Sequence, residues 1–470
     1  MATQTTLGVI VGNRGFFPDH LCDEGRKQVL SVLANQGIKT IALTPEETPF
    51  GSVETREQAK KCAALFRKHA DEIDGILVTL PNFGDERGIA ESIRLSGLDV
   101  PILMQAYPDD AGRMSIKDRR DSFCGKLSAC NNLTQYGIPY TLTTLHTVAP
   151  TSASFLADLK RFEATCRVVK GLSTARIGAI GARPAAFKTV RYSEKILEAN
   201  GITIETIDLS EVLGKVGLLD NGAEAVQAKL KAIGEYVDAK NVPAEPLMKM
   251  AKLAVVIDDW MDENELNATT IQCWTAIEEF FGVVPCTVMS MLSNKLLPSA
   301  CEVDVMGALS MYALTLATGV PAALLDWNNN YGEDPDKCVL FHCSNLPTGC
   351  LSCAKMSQQW IVGGTVGLEK TWGTVEGRIK SGPFTYVRAS TSDMDGTLCA
   401  YVGEGEFTDD PLDTFGGAGV ARIADLQGLM RFLCEQGYEH HVAVSHDTVS
   451  EAITEALSTY LGWDVFQHGG

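Results

Sequence analysis

Near the N-terminus the chain reads Leu7-Gly8-Val9-Ile10-Val11, then Gly12-Asn13-Arg14-Gly15 and Phe16-Phe17-Pro18 (LGVIVGNRGFFP). An unbroken apolar run of this length fits a strand buried on both faces, and a glycine turn followed by a helix is the entry to an α/β unit. The same grammar repeats outward from it. Residues 22–34 and 55–68 read as helices, 40–43, 75–80 (GILVTL) and 100–105 as strands, and 121–137 and 151–169 as further helices. Strands alternating with helices predict a doubly wound parallel sheet.

At 174–181 (TARIGAIG) a second strand and glycine turn restart the pattern. A helix over 192–200, a strand over 202–207 and helices over 223–236, 246–257 and 269–281 follow, the last carrying Gln272 and Trp274. Past Leu346 the character changes: Gly and Thr rise, and 363–369, 374–379, 385–390 and 398–402 read as antiparallel strands. A helix over 423–436, a strand starting at His440 and a helix over 448–461 complete the chain. The expected fold is α/β, with two doubly wound parallel-sheet domains (1–172 and 173–345) and a C-terminal α+β domain (346–470) with antiparallel, barrel-like strands.

Composition narrows the function. With 45% hydrophobic and 21% charged residues, the 470-residue chain can bury genuine cores. Its formal charge of −19 argues against nucleic acid or an anionic membrane surface as the main partner. The N-terminus has no basic region before its apolar run, and no stretch of about 18 apolar residues occurs, so neither a signal peptide nor a membrane span is expected. Fourteen scattered cysteines then read as reduced thiols in a cytoplasm.

The chemistry is expected in residues 299–345, SACEVDVMGALSMYALTLATGVPAALLDWNNNYGEDPDKCVLFHCSN. Glu302 opens a small-residue, apolar segment that reads as a buried helix over 303–318. The apolar run 320–325 stops on Asp326, and the run 338–341 stops on His342. Singly, each acid serves equally well as a helix or strand-end cap. Two acids and an imidazole at the edges of buried elements together suit a divalent ion such as Mn²⁺, because carboxylate and imidazole donors match it better than thiolates do. His440 and His441 form an adjacent pair; neighbours on a strand point to opposite faces, so one of the two can enter a given site, and spacing does not say which. Arg14, Lys126 and Lys295 are the cations expected to meet an anion or hydroxyls of a substrate, with Gln272, Trp274 and Trp327 beside them. The glycine turns match neither a dinucleotide fingerprint nor a P-loop, so neither NAD nor ATP is predicted. The lone Cys350-x-x-Cys353 lacks a second pair, and no Gly-x-Ser-x-Gly elbow supports a hydrolase.

The segments ACEVDVMGAL around Glu302, AALLDWNNNY around Asp326 and GYEHHVAV around His441 resemble the L-fucose isomerase and L-arabinose isomerase-like aldose–ketose isomerases, with VIVGNRGFFP and TARIGAIG as looser matches. The resemblance implies two N-terminal α/β domains and a C-terminal domain with a barrel-like part. It implies a divalent metal, usually Mn²⁺, held by Glu302, Asp326 and His441, with His342 as a further ligand in the arabinose branch. It also implies a homo-oligomer, trimer or hexamer, in which Arg14 helps close a neighbour's sugar site. Asp326 follows the fucose branch, whereas the His-His pair is more like the arabinose branch. The implied reaction passes through an enediolate, with Glu302 and Asp326 as base and acid about the C1–C2 unit. The implied substrate is a neutral sugar or an anionic one such as sulfoquinovose. The alternative from another class is a cytoplasmic, non-catalytic sugar-binding protein that holds its ligand between two α/β domains.

Overall fold

The computed structural model describes residues 4–469. The chain forms two compact units, one of residues 1–170 with Glu455–Gly462 and the other of Gly171–Thr454 with Trp463–Gly470.

In the first unit, β1 (Thr6–Val11), β2 (Lys39–Ala42), β3 (Gly75–Leu80), β4 (Ile102–Ala106) and β5 (Thr141–Leu142) form a sheet of order β2-β1-β3-β4-β5, parallel throughout. Every residue of β1 and β3 is buried, which is why both read as continuous apolar runs rather than alternating ones. The helices Asp19–Asn35, Arg56–Lys68, Glu86–Ser96 and Ser122–Gln135 follow successive strands. Two of them begin at readable caps: Thr55 forms a capping box with Gln58, and Asp85 accepts from the backbone of Arg87 and Gly88.

The second unit holds a parallel sheet and a barrel. β6 (Arg176–Ile180), β7 (Thr203–Ile207), β8 (Ala268–Ile271) and β9 (Ser299–Cys301) pair in the order β7-β6-β8-β9, all parallel. β10 (Ala322–Asn330), β11 (Lys337–His342), β12 (Lys355–Gln358), β13 (Trp372–Arg378), β14 (Gly382–Ser392), β15 (Thr397–Thr408), β16 (Gly417–Arg422), β17 (His441–Ser445) and β18 (Asp464–Gln467) make the other sheet, of order β12-β13-β16-β11-β10-β17-β14-β15-β18. An additional antiparallel pairing of β15 with β16 closes β16-β11-β10-β17-β14-β15 into a six-stranded antiparallel barrel. The strands expected to end at Asp326 and His342 are thus barrel staves, drawn from chain that precedes Leu346.

The helix Val305–Thr318 joins these two parts. Apolar on nearly every face, it is buried almost along its whole length and packs against β6, β8 and β9 on one side and β10, β14 and β17 on the other.

Three expected elements differ. Residues 269–281 are not one helix: the β-branched run Thr269-Thr270-Ile271 lies in β8 between β6 and β9, and only Ala276–Phe280 is helical, which leaves Gln272 and Trp274 on the loop between. Residues 363–369 are not a strand, because Gln359 caps the helix Trp360–Val366 and a short 3-10 turn follows. The final helix is α-helical over Ser450–Glu455 and continues as a π turn over Ala456–Tyr460.

Candidate active site

The site is assembled where β9 gives way to the helix Val305–Thr318 and where β10 and β17 run side by side. β9 ends at Cys301, and Glu302 and Val303 both adopt left-handed backbone angles (φ +56° and +57°) before the helix starts. For residues with a side chain this conformation carries a strain of roughly 1–3 kcal/mol and concentrates at functional sites. On the barrel, Asp326 stands directly opposite His441 in the β10–β17 register.

The side chains converge. His441 Nε2 lies 3.6 Å from Glu302 Oε2 and 3.4 Å from Asp326 Oδ1. Its other ring nitrogen, Nδ1, is 2.7 Å from Asp304 Oδ2. With the Nδ1 proton donated to that carboxylate, the Nε2 lone pair is left facing Glu302 and Asp326. Glu302 Oε1 accepts from Trp274 Nε1 (3.0 Å) and the Cys273 thiol (3.5 Å), whereas Glu302 Oε2 is buried with no hydrogen-bond partner. His342, 2% exposed, has its ring 5.9 Å from that of His441.

Behind the cluster runs a fully paired network. Asp304 accepts from Arg388 Nη1 (2.5 Å) and Nη2 (3.0 Å) and caps the helix through the Gly307 N–H (2.9 Å). Gly307 is required there, since a Cβ at that position would collide with the Asp304 carboxylate. Arg388 donates from Nε to Glu439 Oε2 (3.2 Å), and Glu439 Oε1 accepts from Ser390 Oγ (2.8 Å).

Electrostatics separates the two sides. Burial pushes the Glu302 carboxyl up, only partly offset by His441 and Trp274. Asp326 is pushed up to about 6 by burial, against the pull of His441 and with the added push of Glu302. Burial acts on Asp304 in the same sense, but Arg388 and His441 overcome it and hold its carboxyl well below the usual range. Burial would lower His441, yet Asp304, Glu302 and Asp326 together raise it. His342 and His440 are pushed down to about 3 and about 4, mainly by burial, so both are neutral near pH 7.

Glu302, His342 and His441 each offer a ligand atom within 4.8 Å of one another, and so do Asp326, His440 and His441. An unpartnered buried carboxylate oxygen facing an imidazole lone pair is the deficit that a cation relieves, and this oxygen and nitrogen set suits Mn²⁺ or a similar divalent ion. The nearby Cys273 thiol is pushed up to about 11 by burial and is therefore a poor competing ligand. Both histidines of the pair reach Asp326, His440 Nε2 at 3.7 Å and His441 Nε2 at 3.4 Å. The expectation that only one could do so fails because His440 precedes the first residue of β17 and is not bound by its pleat.

The other expected site residues divide. Trp274 joins the cluster, and Gln272 supports it from behind, its Oε1 accepting from Ala182 N (2.9 Å). Trp327 turns to the barrel interior, where its Nε1 donates to Tyr401 Oη (2.8 Å) and its ring packs edge-on against Tyr386. Lys295 lies 3.9 Å from Asp258, exposed and outside the cluster. Arg14 and Lys126 belong to the first unit and have partners there. Arg14 pairs with Glu86, donates to Gly84 O and lies over the Phe83 ring, while buried Lys126 donates to Thr143 Oγ1 and His146 O. Sequence reading missed Asp304, Arg388, Glu439 and Phe187. Only Asp304 left a local signal, an acid three residues before a glycine at a helix start.

Comparison with known proteins agrees with this architecture. Residues 8–173 match the family model for the fucose/sulfoquinovose isomerase N-terminal domain, and residues 340–468 match that for the L-fucose isomerase C-terminal domain. The chain belongs to the fucose isomerase family. It is accordingly an aldose–ketose isomerase. A sulfoquinovose isomerase from Clostridium sp. (strain MSTE9) is 26% identical over 73% of this chain and 75% of its own length. One from Priestia aryabhattai is 24% identical over 82% of this chain and 83% of its own. Among the described residues, no helix is long and apolar enough to cross a membrane, and all fourteen cysteines are free thiols.

Proposed function

We propose that the chain interconverts a sulfonated aldose of the sulfoquinovose type and its ketose at a divalent-cation site held by Glu302, Asp326 and His441, with His342 as a further ligand. The observation that carries the metal reading is Glu302 Oε2, buried without a partner and 3.6 Å from the free face of His441. The substrate class rests on the sulfoquinovose isomerases among the relatives.

A bound Mn²⁺ would supply charge stabilisation for the two oxygens of the reacting C1–C2 unit. The residues do the rest. One carboxylate of the Glu302–Asp326 pair takes the proton from C2 and returns it to C1, while the other moves the hydroxyl proton from O2 to O1. A carboxyl raised by burial, as both are, is a stronger base than one in water. His441 is held in one tautomer by Asp304, which keeps its Nε2 lone pair available to ligate the cation. Trp274 fixes the Glu302 carboxylate plane by donating to Oε1, which leaves Oε2 to face the cation. Since a carboxylate bound tightly to a metal is a poor base, the carboxylate that moves protons is the loosely bound one or acts through water.

The test is ketose formation from sulfoquinovose by protein treated with a chelator, before and after Mn²⁺ is restored. Activity that vanishes and returns supports the reading; full activity in the chelator removes the metal from it. We also expect a homo-oligomer, which equilibrium sedimentation would reveal as a mass that is a multiple of 50.7 kDa.

A further inference from the structure

The loop leaving β6 reads Gly181-Ala-Arg-Pro-Ala-Ala-Phe-Lys-Thr-Val-Arg191-Tyr192. It holds three cations and no acid, in a chain with 59 acidic and 40 basic residues. Among the described residues Arg183, Lys188 and Arg191 form no ion pair: Arg183 donates to the carbonyls of Pro184 and Ala185, and Arg191 to that of Lys188, all within the loop. The cations expected to bind an anion differ in this respect, since Arg14 is paired with Glu86, Lys295 neighbours Asp258 and Lys126 is buried on oxygens of its own unit.

Both ends of the loop are pinned to the site's framework. Ala182 N donates to Gln272 Oε1, two residues before Trp274, and Ser193 N donates to Thr391 Oγ1 (3.0 Å) on β14, the strand that carries Arg388. Between the pins the Phe187 ring lies 5.2 Å from the ring of His440, 5.6 Å from His441 and 5.8 Å from Trp274. Lys188 is the next residue, about 3.8 Å further along the backbone. With carbon–carbon bonds of about 1.5 Å, the sixth carbon of an extended open-chain sugar lies on the order of 5 Å beyond C2. With C1 and C2 at Glu302 and Asp326, a group on that carbon lies outside the acid–imidazole cluster, and this loop borders the cluster through Phe187.

We propose that residues 182–191 form the subsite for the terminal tetrahedral anion of the aldose, with Arg183, Lys188 and Arg191 facing a sulfonate or phosphate and Phe187 walling the carbon chain. The assignment rests on the isomerase reading of the adjacent cluster and adds how the substrate is chosen. Unpaired guanidinium and ammonium donors suit such an anion. A chain of charge −19 also needs a local positive patch to draw an anion toward its metal pocket.

The test compares wild type with Lys188→Gln and with the triple variant Arg183→Gln/Lys188→Gln/Arg191→Gln. The substrates are a 6-sulfonated aldose, its 6-phosphate and the neutral 6-hydroxy sugar. Each lost cation is expected to lower kcat/KM about tenfold on the anionic sugars, mainly through KM. The neutral sugar should change less than about twofold, and the sulfonate and phosphate arms show which anion the loop prefers. Equal losses on charged and neutral sugars, or no loss, would overturn the subsite and leave the isomerase reading in place, as would a wild type that prefers the neutral sugar. If no aldose turns over, the isomerase reading fails. Calorimetric binding of the 6-sulfonated sugar then still decides the loop, with undiminished affinity in the triple variant counting against it.

Discussion

Glu302 and Asp304 are two residues apart, both are buried carboxylates and both face His441, yet they live in opposite electrostatic worlds. Asp304 is satisfied on every side by Arg388, His441 and the Gly307 N–H, and its carboxyl is held far down. Glu302 has one oxygen tied to Trp274 and Cys273 and the other bare, and its carboxyl is pushed up. The difference lies in what each was given opposite. A buried guanidinium satisfies the first, and the second is left open on the Nε2 side of the imidazole. On the proposed mechanism one is a structural charge and the other a reactive one, and substitutions should separate them.

The largest effect is expected on the closed side. Arg388→Met removes the guanidinium that faces both Asp304 and Glu439, which leaves two buried carboxylates without that cation. A loss of about 3–5 kcal/mol in urea unfolding is expected. A loss below about 1 kcal/mol would mean that the network is not what stabilises this side. Glu302→Gln should behave the other way: activity falls by about 10³-fold, within the range for removal of an acid–base group, while the unfolding midpoint stays level or rises because a buried unpaired charge is gone. A variant that unfolds easily would make Glu302 structural and erase the contrast.

Glu278 sharpens the comparison because it is another buried carboxylate, and both of its oxygens are without a hydrogen-bond partner among the described residues. Burial pushes it up to about 8 from an ordinary 4.5. Between those two values the folded chain holds a proton that the unfolded chain has released, so stability is fully present below about 4.5 and is lost as pH rises toward 8. Glu278→Gln should therefore nearly match wild type at pH 4.5 and exceed it by roughly 4 kcal/mol at pH 8. A constant difference across that range would show that this carboxylate is charged and paired by some other means.

Much of this contrast lay outside what a sequence can show. The parallel sheets were legible because β1, β3 and β6 are buried on both faces and read as apolar runs ending in glycine turns. Glu302, Asp326 and His342 were legible because each interrupts or ends such a run. Arg388 was not, since it stands in a polar β14 stretch, and its fully buried position follows from barrel closure 84 residues beyond Asp304. Residues 269–281 misled for a related reason: the β-branched triplet also fits a helix face, and only its place between β6 and β9 decides it as a strand. Phe187 carried no signal at all, because a loop aromatic acquires meaning only when the chain folds it onto His440 and His441.

The smallest effect tests whether the two sides speak to each other. Asp304 bonds to this side through His441 Nδ1, and its charge adds a smaller push on Glu302, so its influence should be mainly on how that imidazole is presented. Asp304→Asn keeps the shape and can still accept from Nδ1–H, but it loses the charge that fixes the tautomer and the ion pair with Arg388. Mn²⁺ affinity measured by calorimetry should fall about 10–100-fold. With metal added to saturation, most of the turnover should return, since Glu302 and Asp326 are untouched. If saturating Mn²⁺ restores nothing, Asp304 acts on the reaction directly and the division between a closed and an open side is wrong. If affinity does not change, His441 needs no orienting partner, and the Asp304–Arg388 pair serves the fold alone.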